Sequence, residues 1–202
     1  MKRVLVQRTA AWVGVSAMVL AAASPVIVSA ASTTGSTTIN ATLASLISIT
    51  TSTTVALAVT PTASGSATSS SDSVNVTTNN ATGYTLSLAD TDTNTALVSG
   101  GNTIAAHAGT FASPTTLANN TWGYRVDGVG TFGAGPTAAQ PNVANLSGTW
   151  AGVPSSASAQ QLKTTATNNT GDATTVFYGV KADTTKPSGT YTDSVTYTAI
   201  TN

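Results

Sequence analysis

Thr82-Gly83-Tyr84-Thr85-Leu86-Ser87-Leu88-Ala89-Asp90 carries the pattern on which the fold reading turns. Tyr84, Leu86 and Leu88 fall on alternate residues with Thr85 and Ser87 between them. In an extended chain that spacing puts the apolar side chains on one face and the hydroxyls on the other. Gly83 before the run and Asp90 after it are turn formers. Toward the C-terminus the same period recurs in Trp122, Tyr124 and Val126, in Val176, Tyr178 and Val180, and in Tyr191, Val195 and Tyr197. Toward the N-terminus it recurs in Val74 and Val76, in Val55, Leu57 and Val59, and in Ile39, Ala41, Leu43, Ile47 and Ile49. The many Thr and Val residues suit a pleated backbone because their branched Cβ packs against strand neighbours.

Turn-forming clusters punctuate these runs: Pro61 to Gly65, Asn79 to Gly83, Asp90 to Asn94, Ser99 to Asn102, Asp127-Gly128 and Lys186 to Gly189. Short strands with such punctuation and almost no helical periodicity predict an all-β fold. The expected form is an antiparallel β-sandwich of Ig-like or jelly-roll type, preceded by an N-terminal signal-peptide helix. Two stretches lack the alternation. Ser64 to Ser71 is almost purely Ser, Ala, Thr and Gly and reads as a flexible loop. Phe132 to Gln161, with Pro136, Pro141 and Pro154, reads as a long loop excursion from one end of the sandwich.

The N-terminus reads as a leader for export. Lys2, Arg3 and Arg8 supply a positive start, Ala10 to Ala23 an uncharged apolar stretch, and Val28-Ser29-Ala30 the small residues that a signal peptidase reads. The expected organisation is therefore a signal peptide over residues 1–30, a short flexible N-terminus over 31–36, and one β-sandwich domain over 37–202 with its excursion at about 132–161. Cleavage would remove three of the seven basic residues and both methionines. The remainder holds Arg125 and three lysines against seven aspartates, a net charge of −3, with no Cys and no Glu. Such a surface offers no basic patch to neutralise phosphates, which argues against nucleic acid and, once the leader is gone, against a membrane as partner. Without cysteine the exported domain relies on its apolar core alone.

Catalysis needs groups that move protons, attack or bind metal, and few are present. His107 is the one histidine, and its setting of small residues, Ala105 to Gly109, reads as that of an exposed or loop histidine. No Gly-x-Ser-x-Gly elbow accompanies it, so the chain is expected not to be an enzyme. Asp90, Asp92 and Asn94 match the first three oxygen-ligand positions of a calcium loop, making calcium the one cofactor the pattern admits. Thr95 then stands where such a loop has glycine, and Asp and Asn are equally at home in a plain turn. Trp150, between Gly148 and Gly152 in the excursion, reads either as a cap on the sandwich or as a stacking platform for a ligand.

Three segments together, Thr77 to Leu88, Asn120 to Arg125 and Pro187 to Thr198, resemble small secreted surface proteins of ultrasmall, host-attached bacteria. More distantly they are similar to the WxL cell-wall-binding domain, through the Gly-aromatic strand and the Gly-Thr-Tyr hairpin that leads into the last strand. The resemblance implies a non-catalytic structural or adhesive protein of the bacterial envelope, secreted or held at the cell surface. Its partners would be a cell-wall or surface glycan, other surface proteins, or further copies of itself. A secreted carbohydrate-binding module is the alternative.

Overall fold

A computed structural model describes residues 31–135 and 138–202, so the leader and its helix lie outside the described residues. Residues 31–42 carry no regular secondary structure and are exposed. The compact unit spans Leu43–Asn202 and is built of strands. They are β1 (Ile47–Thr50), β2 (Ser66–Thr78), β3 (Tyr84–Asp90), β4 (Leu97–Ser99), β5 (Asn102–Ala106), β6 (Thr121–Val126), β7 (Gln140–Val143), β8 (Gln160–Thr164), β9 (Asn169–Ala182) and β10 (Val195–Thr201).

The larger sheet runs in the order β1-β2-β9-β6-β5-β4, with β7 also pairing β2, and the smaller sheet in the order β10-β3-β8. They pack face to face as an all-β sandwich. The alternation read from the sequence is the inner face. Tyr84, Leu86 and Leu88 from β3 meet Val74, Val76, Trp122, Tyr124, Val126, Val176, Tyr178 and Val180 in one core cluster. Register aligns these side chains across the larger sheet, since Trp122 and Thr68 both lie opposite Val180, and Tyr124 and Ser70 both lie opposite Tyr178.

Several expectations need correcting. The Ser-rich stretch Ser64 to Ser71 is no loop: from Ser66 onward it is the first half of β2, and Ser66 to Ser69 are all buried. Its small side chains are required there, because the excursion packs on that outer face. Ser69, Gly179 and Gly123 lie side by side across β2, β9 and β6. That row of small residues leaves space for a second core cluster of Ala67, Leu117, Leu146, Trp150 and Phe177. A Cβ on Gly179 would meet Leu146 and Trp150.

The excursion itself is ordered where described, contributing β7 and a short 3-10 turn at Ser156–Ser158. Bridges between Thr115 and Trp150 and between Tyr124 and Ala151 fasten it to the sheet. The larger sheet is also mixed rather than purely antiparallel, because β5 runs parallel to β6. Finally, the alternating segments over residues 37–46 and 51–60 form no strand, although both have the period of one.

Candidate functional site

β10 is an edge strand: β3 pairs with one side of it, through Val195 opposite Asp90 to Thr201 opposite Tyr84, and no strand of the smaller sheet lies on the other. Beyond that free edge lies an open groove of about 1160 Å³. One wall is β10 with the segment that leads into it, and the opposite wall is the extended segment Thr51–Val59. The floor is the inner face of the larger sheet, including Trp122, Tyr178 and Val180.

Both walls show core chemistry left half-covered. Val55, Leu57 and Val59 on one side and Tyr191, Val195 and Tyr197 on the other all pack against the main core, yet each is only partly buried. The far wall is also short of backbone partners. Its ends are held, by Ser52 N–H donating to Asp72 Oδ1 at 2.9 Å and Thr60 N–H donating to Asn142 Oδ1 at 2.7 Å. Between them, from Thr53 to Val59, the one backbone hydrogen bond among the described residues is from Thr68 Oγ1 to the Ala58 carbonyl at 2.8 Å. An extended segment with free N–H and C=O groups is a template for another strand.

The polar groups of the floor are fixed rather than reactive. Trp122 Nε1 donates to the Thr95 carbonyl at 2.9 Å, and its ring stacks on Tyr178 with centroids 6.4 Å apart. The Tyr178 and Tyr197 hydroxyls are 2.7 Å apart. Burial raises the pKa of both, so they remain protonated at neutral pH. Two carboxylates also line the groove, Asp72, which accepts the Ser52 N–H, and Asp193, which precedes β10. The groove is suited to binding an apolar, hydrogen-bonding chain.

The residues singled out from the sequence lie elsewhere. Asp90 Oδ1 accepts the Asp92 N–H at 2.9 Å and Asp92 Oδ1 accepts the Asn94 N–H at 2.6 Å, the geometry of successive Asx turns. Among the described residues no three acidic or imidazole side chains converge as a metal site. Asp90 does face Asp193, and their Oδ2 atoms have no hydrogen-bond partner. Burial, then the Asp90 and Asp92 charges, push the Asp193 carboxyl up to about 6, against the pull of the Ser194 N–H.

Trp150 is fully buried at 0% exposure, its Nε1 donating to the Ser147 carbonyl at 3.3 Å, so the platform expectation fails for want of an open ring face. The reason is the row of small residues beneath it, which draws the indole onto the sheet. His107 lies in the loop just past β5, one of the two settings expected for it, but is buried rather than exposed. Its Nε2 is 2.9 Å from Thr115 Oγ1, Nδ1 accepts the Ala118 N–H at 3.4 Å, and desolvation lowers its pKa. It is a strut between the loop after β5 and the segment Thr115–Thr121 that leads into β6.

The groove was not among the candidates read from the sequence. Its signals were present in the two walls' alternation, but period two announces a strand and cannot say that the strand lacks a neighbour. No protein-family model, curated protein or solved structure matches the chain.

Proposed function

We propose that the chain is an exported, non-catalytic structural or adhesive protein of the cell surface, which associates with the envelope or with copies of itself through strand edges. One observation carries this reading: a long apolar groove bounded by a free strand edge and an unpaired extended segment. Such a groove takes up polypeptide by main-chain pairing and reads alternate side chains. The sparse set of titratable groups, each engaged in turns or core contacts, fits a scaffold better than an enzyme. The alternative of a carbohydrate-binding module, with Trp150, Trp122 or Tyr124 as stacking platform, is less favoured because all three side chains are buried.

Fractionation of cells expressing the full chain, with electron microscopy of the exported protein, tests the reading. Envelope association or filaments are expected. A protein recovered wholly as a free monomer from the medium would overturn it.

A further inference from the structure

The described residues hold a second unpartnered feature, and it matches the groove. Ile39 is 89% exposed and Leu43 82%, and with Leu46 they make three of the four large exposed hydrophobics. Apolar exposure is thus concentrated in one segment, where Ile39, Ala41 and Leu43 alternate with Thr38, Asn40 and Thr42. We propose that residues 37–43 of one molecule enter the groove of a second copy as a strand, between β10 and the Thr51–Val59 wall. This assembly mode rests on the surface-protein reading above and specifies how the copies join.

Four properties of the segment fit the site. Seven extended residues reach about 23 Å, enough to line most of the Thr51–Val59 wall. Ile39, Ala41 and Leu43 would face the floor at Tyr178 and Val180, closing the half-covered core. Thr38, Asn40 and Thr42 would continue the solvent-facing row that Thr196 and Thr198 make on β10, where both are exposed. The segment contains no proline, so every amide can pair with the free edge of β10 or with the wall.

The occupant is a second copy rather than the chain's own segment because of how the chain is held just past Leu43. Asn79 grips this point three times: its Oδ1 accepts the Leu46 N–H at 2.7 Å, its Nδ2 donates to the Ala44 carbonyl at 2.9 Å, and its N–H donates to the Leu46 carbonyl at 3.3 Å. Entry into its own groove would require the backbone to reverse within the one or two residues before this clamp, whereas entry into a second copy requires no reversal. Donor and acceptor are different surfaces, so the contact is head-to-tail and propagates as an open filament wherever the rotation between copies does not close a ring.

The chain has no cysteine, so two introduced thiols report on one contact alone. Protein exported from cells expressing the full-length Ala41→Cys chain is mixed with its Leu57→Cys counterpart and treated with a short bismaleimide. A linked heterodimer dominating over either homodimer is expected, and the double variant should give a ladder of covalent oligomers. A heterodimer no more abundant than the homodimers, or a double variant linked only within single chains, would overturn the proposal. Leu43→Asp, outside every strand, should abolish filaments while leaving the thermal unfolding of the sandwich unchanged. Filaments that persist in Leu43→Asp, or that form without the Ala41 to Leu57 link, overturn this contact and leave the surface-protein reading intact. Absence of both filaments and envelope retention overturns both.

Discussion

Arg125 is the fully buried cation among the described residues, at 0% exposure, and what it touches explains why the excursion is ordered. Its Nε donates to Asp127 Oδ1 at 2.8 Å, Nη1 to the Thr149 carbonyl at 3.4 Å, and Nη2 to the Phe132 and Gly133 carbonyls at 3.3 and 3.4 Å. The guanidinium also lies 6.0 Å from the Trp150 ring centroid. Gly148 makes room for it, since a Cβ there would collide with the guanidinium. Arg125→Met keeps the length of the side chain but leaves those carbonyls and Asp127 without their donor. A loss of about 3–5 kcal/mol is expected by urea unfolding, with proteolysis appearing first between residues 132 and 150.

Asp193 gives a pH dependence of definite sign. A carboxyl raised from 3.8 to about 6 binds its proton more tightly in the folded state than in the unfolded one. Stability from this group is therefore highest near pH 4 and falls as pH rises through 6. Asp172 acts oppositely: against the raising effect of its burial, the Lys163 ammonium and the Tyr84 hydroxyl hold it below its ordinary value. Its contribution is present above pH 4 and lost under more acid conditions. Thermal midpoints measured from pH 3 to 8 should pass through a maximum, and Asp193→Asn should flatten the decline on the alkaline side while leaving the acid side in place.

β9 shows how one strand serves two cores. Val176, Tyr178 and Val180 face the smaller sheet, whereas Phe177 and Gly179 face the excursion. Gly179→Val would drive a branched side chain against Leu146 and Trp150. An overpacking cost of about 1–3 kcal/mol is expected, read as a lowered midpoint with the sandwich still folded. The same strand separates what could be read in the sequence from what could not. Its inner face was legible because Val, Tyr and Val at period two have no other economical explanation. Its outer face was not, because Gly179 and its neighbours Ser69 and Gly123 act by being small, and small residues carry no hydrophobic signal. For the same reason the Ser-rich half of β2 resembled a linker. β7 and β8 were too short and polar to register, as Leu162 is the sole large apolar residue of β8. The groove was half legible: its walls alternate visibly, but an unfilled place beside a strand is a property of three-dimensional arrangement.

Within the sandwich of Leu43–Asn202, these features describe a larger sheet covered on its outer face by the excursion and left partly open on its inner face. The first arrangement is closed by side chains of the same chain, through Arg125, His107 and Trp150. The second is not, and the half-buried Val55, Leu57, Val59, Val195 and Tyr197 mark where another strand belongs. Most native sheets protect an edge of this kind with charge, proline or a covering element. β10 has neither charge nor proline along Val195–Thr201, whose outward residues include Thr196, Thr198 and the exposed Ile200, and Val195 and Tyr197 border the groove. An open edge and a complementary strand-like segment are the two features on which the proposed self-association rests. Hydrogen exchange on the assembled and the monomeric protein tests this most directly. On assembly, amides in residues 37–43, in Thr53–Val59 and in Val195–Tyr197 of β10 are expected to become protected together, each by tenfold or more in rate if pairing contributes about 1.4 kcal/mol. Assembly that leaves all three segments exchanging as in the monomer would contradict it.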